Sequence, residues 1–402
     1  MNFRTVFPLV LALVAGACGA PRPLTDAGQP PIVDAGVILE DAGVSTDAGT
    51  MADAGPIDAG TVIVDSGVVD AGLPCDRNEP CTLSWAEPPH YPVPVDHHTS
   101  FVHEVAGVPY LYVVGGVRTV MGDVKDVYTE VRRAKVTATG LEPWTDVGVL
   151  PQPLAFAAQV INGNHIYLMA GLSKDMTGEF ASAKLLVGVI SPVDGTIVWS
   201  FGPSLSSAVL HGTAVVLDNK LYLMGGSAQQ PKDDVLVSQL DANGVPGPWV
   251  ALGKLPVPRS HHTAVVHDGH IFLIAGFTTG QLPLSPVWKS VHDTNGALIG
   301  WKVVGDMPTS PWTAGASVWG NTLLVVGGGE GGQGQEHFVD HVRQARFLDD
   351  GTLSGFADIT ALPVARSHVH QAPIYEGRVF SVGGRLWPSA TSMDRAFIGT
   401  FQ

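Results

Sequence analysis

The sequence predicts an all-β protein, a six-bladed β-propeller of four-stranded antiparallel blades, on two observations. An aromatic residue recurs as Trp85, Trp144, Trp199, Trp249, Trp301 and Phe356, at intervals of 59, 55, 50, 52 and 55 residues. A small-residue pair alternates with it: Gly115-Gly116, Ala170-Gly171, Gly225-Gly226, Ala275-Gly276, Gly327-Gly328 and Gly383-Gly384, each closing a short apolar run such as LYLMGG or LLVVGG. Six units of about 50 residues are a propeller period, one unit to a blade.

The elements of a blade are read from residues 255 to 301. LPVPRSHH is a turn-rich approach, TAVVH a first strand, and Asp268-Gly269 a two-residue hairpin turn. HIFLIAG follows as a second strand ending where backbones pass closely. VWKSVHD is the third strand, TNGALIG a turn, and WKVVG a fourth strand whose aromatic packs on the next sheet. The third-to-fourth turn repeats as TATGLEPW, PVDGTIVW, DANGVPGPW and DDGTLSGF. Trp85 precedes the first glycine pair, whereas the chain ends at FIGTFQ with no further aromatic strand. TLSWAE is therefore expected to supply the outer strand of the last blade, a velcro closure that leaves no unpaired edge at the seam.

Residues 75–402 form this propeller, and two further segments precede it. Residues 1–17 combine a positive start, MNFR, with the apolar run VFPLVLALVAGA, too short to span a bilayer, ahead of Cys18. The pattern resembles a bacterial lipoprotein signal, which implies cleavage before Cys18 and lipid attachment at that thiol; Ala15 departs from the commoner leucine, so an ordinary secretory signal is the alternative. Gly19 and Ala20 lack the aspartate of inner-membrane retention, so the resemblance implies an outer-membrane lipoprotein, periplasmic or surface-exposed. Residues 18–74 repeat Asp-Ala-Gly and carry no aromatic residue, the composition of a disordered tether. A chain of that length has a root-mean-square span of roughly 40 Å. The intervals between its aspartates are too irregular for a calcium-binding repeat.

The net charge of −15 divides between tether and propeller. Nine acids against Arg22 make −8 in the tether, Arg4 adds one positive charge in the leader, and −8 remains for residues 75–402. A moderately acidic domain without a basic stripe is a poor binder of nucleic acid. Of three cysteines, Cys18 is taken by the lipid reading, and Cys75 and Cys81 form an isolated CDRNEPC pair that an oxidising compartment joins as a disulfide. Such a small loop contributes roughly 2 kcal/mol at most. Two cysteines without nearby further ligands do not make a metal site.

LPVPRSHHTAVVHDGHIFLIAGF and LPVARSHVHQAPIYEGRVFSVGG resemble kelch repeats in their Pro-Arg approach, hairpin turn, double glycine and later Trp. All six units align, and the motif specifies fold far better than function. Galactose oxidase is the best-known enzyme of this type, but its copper centre needs a cysteine cross-linked to tyrosine, and no cysteine follows Cys81. Sialidase turns resemble SPVDGTIVW with the Asp displaced by one residue, and sialate epimerases also have kelch-like blades. No cofactor and no metal are expected.

The candidate site lies at the mouth of the central channel, where first strands begin. His98, His211, Arg259, His262, Arg366, His368 and His370 fall at or next to one position of the ring, from the doublets His97-His98 and His261-His262 onward; Phe156 and Thr313 stand where units two and five lack the histidine. A convergent imidazole ring there could bind a metal or act in acid-base chemistry, or these are repeat residues that bond to neighbouring backbone. The loops VRTVMGDVKD, LSKDMTGEF, SAQQPKDD, FTTGQLPLSP and GEGGQGQEHF vary between blades, which suits recognition on a constant scaffold. The expected function is a monomeric, lipid-anchored, extracytoplasmic module that binds a protein or a glycan through this face. The alternative is a periplasmic carbohydrate-active enzyme, of isomerase, epimerase or hydrolase type, using the His/Arg ring.

Overall fold

The structure is a computed structural model that describes residues 81–402; the signal segment, the tether, Cys18 and Cys75 lie outside the described residues. The regular elements of the described residues are strands, arranged as the six antiparallel blades of a β-propeller and five small two-stranded hairpins. Blade one comprises Thr99–Val105, Val108–Val114, Glu130–Thr137 and Thr145–Val149, and blade two Ala158–Asn162, His165–Met169, Leu185–Ile190 and Ile197–Gly202. Blade three comprises Thr213–Leu217, Lys220–Met224, Lys232–Gln239 and Val250–Arg259, and blade four Thr263–His267, His270–Ile274, Pro286–His292 and Leu298–Asp306. Blade five is Gly315–Trp319, Thr322–Val326, Val342–Arg346 and the short Ala357–Asp358. Blade six takes Ile374–Tyr375, Arg378–Val382 and Ala396–Phe401 from the carboxyl end and Leu83–Ala86 from the amino end.

The register of that last pair, Leu83 opposite Phe401 and Ala86 opposite Ile398, is the expected closure of the ring by its own N-terminal strand. Glu87 adds two hydrogen bonds from Arg395, Nε at 2.6 Å and Nη2 at 2.7 Å. Cys81 at the entry to this strand is buried and disulfide-bonded. Its expected partner, Cys75, is outside the described residues. One boundary differs from the sequence reading: Leu255–Arg259, read as a turn-rich approach, continues the outer strand of blade three past an irregularity in register, because Arg259 pairs with Lys232 of the neighbouring strand.

The core is divided among the blade junctions. Six apolar clusters fill the six junctions, for example Leu111, Val113 and Ala134 against Phe380, Val382 and Ile398 between blades one and six. The periodic aromatics each sit in the junction with the preceding blade, not the following one. Three of them also tie into the segment leaving that preceding blade by an indole N–H: Trp85 to Thr360 O at 3.2 Å, Trp144 to Pro89 O at 3.2 Å and Trp249 to Pro203 O at 2.9 Å. An outer strand that begins with such an aromatic is thus anchored sideways as well as within its own sheet.

The small-residue pairs serve a close backbone approach. The second glycine of each pair donates its N–H to a carbonyl in the approach to the next blade, as in Gly116 to Leu154, Gly226 to Arg259 and Gly384 to Val95. At Gly383, with φ +60°, a Cβ would lie 2.2 Å from Val95 O, so no side chain is tolerated at that crossing.

Candidate functional site

Two residues ahead of the first strand in blades one to five, and six ahead of it in blade six, one residue has a positive φ: His97, Phe156, His211, His261, Thr313 and His368, between +48° and +65°. Their backbones form a hydrogen-bonded circle about the propeller axis. Each N–H donates to the carbonyl of the preceding blade's member, His97 to His368, Phe156 to His97, His211 to Phe156, His261 to His211 and Thr313 to His261, at 2.9 to 3.2 Å. The circle is completed by His368 N–H donating to the Thr313 hydroxyl at 3.1 Å. The left-handed conformation turns each residue inward, so their side chains converge on the axis. Ring centres of His211 and His261 lie 3.7 Å apart, His97 and Phe156 3.8 Å, His97 and His368 4.7 Å, and His97 and His370 5.5 Å.

In three of the six blades the residue before the ring member hydrogen-bonds its imidazole. Ser260 Oγ is 3.0 Å from His261 Nδ1, and Ser367 Oγ bonds His368 Nδ1 in the same way. In blade one the partner is a buried carboxylate: Asp96 Oδ1 accepts from His97 Nδ1 at 2.5 Å and pairs with Arg385 Nη2 at 3.0 Å, while Ser392 Oγ donates to Oδ2 at 2.5 Å. His97 Nε2, His211 Nδ1 and His370 Nε2 are buried without a hydrogen-bond partner among the described residues.

These imidazoles are neutral at pH 7. Burial, reinforced by the positive charge of Arg385 and by neighbouring rings, pulls His97, His211 and His368 well below the usual imidazole value. Burial and the same neighbours bring His261 down to about 3, and burial opposed by Asp96 leaves His370 at about 4. His211, His261 and His370 retain partial exposure, so solvent reaches the cluster. Among the described residues no group of three or more His, Cys, Asp or Glu side chains is arranged to hold a metal ion.

Of the residues named from sequence, the axis brings together His211, His368 and His370. His98 and His262 do not join them: they are the second members of their doublets and turn into the blade wall. His98 Cβ lies against Gly116, and His262 Cε1 lies against Gly225 of the neighbouring blade. Arg259 and Arg366 are also inside the wall, both fully buried. His97, His261, Asp96 and Arg385 belong to the cluster and were not selected. A spacing would have found His261, since Phe156, His211, His261 and Thr313 each stand fourteen residues before the first small residue of their pair, whereas His97 lies farther from its own.

Around the axis, the connections between second and third strands stand up as small hairpins. They are Val117–Val120 with Asp123–Val127, Leu172–Asp175 with Gly178–Ala181, Phe277–Thr278 with Leu282–Pro283, Gly329–Glu330 with His337–Phe338, and Arg385–Leu386 with Thr391–Ser392. Each is rooted by a bridge to the approach strand, such as Asp96 to Val117 and Ser367 to Arg385. Neighbours brace one another: Gln333 Nε2 donates to Gly280 O, Phe338 and Trp387 pack at 5.5 Å, Gly122 N–H donates to Ala390 O, and Lys174 Nζ donates to Lys125 O. The result is a crown running from blade four through five, six and one to two. Blade three contributes only the short Ser227 to Pro231 connection, so the crown is notched there.

The glycine-rich GEGGQGQEHF run is one of these hairpins. It is pinned by buried Glu330, whose Oε1 accepts from Thr309 Oγ1 at 2.5 Å, Arg343 Nη1 at 2.9 Å and His341 Nδ1 at 3.1 Å. Burial alone would raise that carboxyl, and these hydrogen bonds with the Arg343 charge lower it instead. Trp312 is packed among Phe277, Phe338 and His368, whereas Trp387 is exposed on the crown.

No protein-family model matches the chain. It is 28% identical over 133 residues to kelch repeat protein M-T8 of Myxoma virus, covering 32% of this chain and 24% of the relative. It is 27% identical over 256 residues to the kelch-like protein terF of Aspergillus terreus, covering 62% and 53%, and 24% identical over 216 residues to alpha-scruin of Limulus polyphemus, covering 52% and 22%. The chain thus spans between about a fifth and a half of the length of these curated relatives. Among solved structures, that of YjhT superposes with a TM-score of 0.59 at 14% identity, over 78% of this chain and 99% of YjhT, a likeness of fold.

Proposed function

Because the chain is a kelch-type six-bladed β-propeller, we propose that it works as a protein-binding module whose partner seats inside the notched crown, above the axial histidines. The observation that carries this is the apolar character of the hairpin tips. Met121 and Met176 are 81% and 105% exposed, and Leu282 and Trp387 are 48% and 43% exposed, on four of the five hairpins. Large apolar side chains held out on a braced rim mark an interaction surface, and methionines adapt to a partner's shape. The names of the relatives support a kelch scaffold, and kelch scaffolds commonly present loops to other proteins.

The test is capture. Met121→Asp, Leu282→Asp and Trp387→Ala together should reduce recovery of the cross-linked partner at least tenfold, with Tm unchanged within about 2 °C because the replaced groups are solvent-exposed. Binding to an array of glycans, with no protein recovered and with Trp387→Ala alone abolishing it, would replace the protein reading by a glycan one. Turnover of a sugar substrate, lost in His211→Ala at unchanged Tm, would favour the enzyme instead.

The location we propose is extracytoplasmic, with the propeller held at the outer membrane through lipid on Cys18 and a tether over residues 18–74. The signal-like segment before Cys18 supports it. Labelled palmitate should be incorporated into the wild-type chain and lost in Cys18→Ser; label on the Cys18→Ser protein would refute the anchor. In an oxidising compartment the expected partner of Cys81 is Cys75.

A further inference from the structure

Arg259 and Arg366 occupy equivalent places, each two residues before an axial histidine, and both are fully buried. Blade six satisfies its arginine in part. Arg366 Nη1 donates to Gly383 O at 2.9 Å and to Ser381 Oγ at 3.2 Å, and its guanidinium lies 4.4 Å from the centre of the Phe397 ring, while Nε and Nη2 have no hydrogen-bond partner among the described residues. In blade four the place of Ser381 is taken by Leu273: Ser381 is paired with Phe397 across the sheet as Leu273 is with Trp288. A leucine side chain accepts no hydrogen bond. Accordingly Arg259 Nε, Nη1 and Nη2 are all buried and none has a hydrogen-bond partner among the described residues.

The neighbouring His262 is in the same condition. It is 1% exposed, and among the described residues neither Nδ1 nor Nε2 has a hydrogen-bond partner. Burial and the adjacent Arg259 charge keep its ring neutral, so one of its nitrogens carries a hydrogen with nothing to accept it. Among the described residues no acid offsets the guanidinium, and burial pulls Arg259 down to about 10. A buried cation without a counter-charge or acceptors is strongly disfavoured, and native proteins pair such groups.

We propose that one small monovalent anion of halide size is held between the Arg259 guanidinium and the His262 imidazole, beside the junction of blades three and four. The anion accepts hydrogen bonds from the guanidinium and from the ring N–H, and it supplies the missing negative charge. Size follows from the packing. A Cβ on Gly225 would stand 2.6 Å from Arg259 O and 2.8 Å from His262 Cε1, so the wall is already close-packed there and suits a sphere better than a tetrahedral oxyanion.

Crystals of the full chain soaked in sodium bromide and measured at the bromine edge should give an anomalous peak within about 3.5 Å of the Arg259 nitrogens and none at Arg366. In solution, replacing sodium methanesulfonate by sodium bromide up to 300 mM at constant ionic strength should raise Tm by about 4 °C for a site of roughly 10 mM affinity. Arg259→Met should abolish that rise, and Arg366→Met should keep it. Water alone at the site, seen as density without a bromine signal, overturns the proposal, as does a bromide-dependent rise that survives in Arg259→Met. If Arg259→Met does not fold, the anomalous map of the wild type decides the matter.

Discussion

Acidification from pH 7.5 to 5.0 is expected to lower Tm by more than 15 °C and to unfold the propeller cooperatively near pH 5 at room temperature. His97, His98, His262 and His368 are all 5% exposed or less. Burial, the largest cause in each case, depresses their pKa values, with His98 brought to about 4 and the other three well below the usual 6.5. The unfolded chain therefore binds protons that the folded chain refuses, and stability falls as pH drops below about 6.5. Near pH 5 each such group costs about 2 kcal/mol, roughly 8 kcal/mol for the four, against a total stability on the order of 5–15 kcal/mol. Partly exposed His211, His261 and His370 act in the same direction. Arg385 and Arg259 add repulsion, and Asp96 is the one buried acid that opposes it at the axis. Circular dichroism and tryptophan fluorescence from pH 7.5 to 4 measure the effect; a Tm unchanged to pH 5 would show that the imidazoles are not held neutral by the fold.

Removing residues 75–90 should lower Tm by about 15 °C or more, whereas removing 21–60 should change it by less than 2 °C. The first deletion takes away buried Leu83, the Trp85 indole bond to Thr360 and the Glu87 pair with Arg395, together with the whole ladder of Leu83–Ala86. Loss of one buried leucine alone costs about 2–5 kcal/mol, and the exposed edge of Ala396–Phe401 adds to it. The second deletion touches none of these contacts. Comparable melting temperatures for the two truncations would mean that the ring does not depend on its N-terminal strand.

Much of the architecture was legible because its causes are local and repeated. The glycine pairs mark crossings where a Cβ would meet the next blade's carbonyl, as Gly383 does at Val95, and the aromatics mark junctions, as Trp249 does at Pro203. The direction of that aromatic contact was not legible, because a period places a residue in a blade without saying which neighbour it meets. The same limit governs the site. His97 and His98 are adjacent and chemically identical, and only the left-handed backbone of His97 sends it to the axis while His98 enters the wall. Arg385 lies far from Asp96 in sequence and meets it only because ring closure brings blade six beside blade one. The crown was visible only as variable loops, since bracing such as Phe338 against Trp387 depends on blade order around the ring.

The pairing of Leu83 with Phe401 also dictates an order of events during folding. The strand made first cannot find its partner until the strand made last exists, so this contact spans nearly the whole domain and carries the highest loop-closure entropy in it. Blades one to five can associate as they emerge, each on the one before. Once its three carboxyl-terminal strands have formed, blade six presents the Ala396–Phe401 edge to strand addition by another molecule until Leu83–Ala86 docks on it. Ring closure is consequently the last step of folding, and the interval before it is when the chain is most exposed to misassembly.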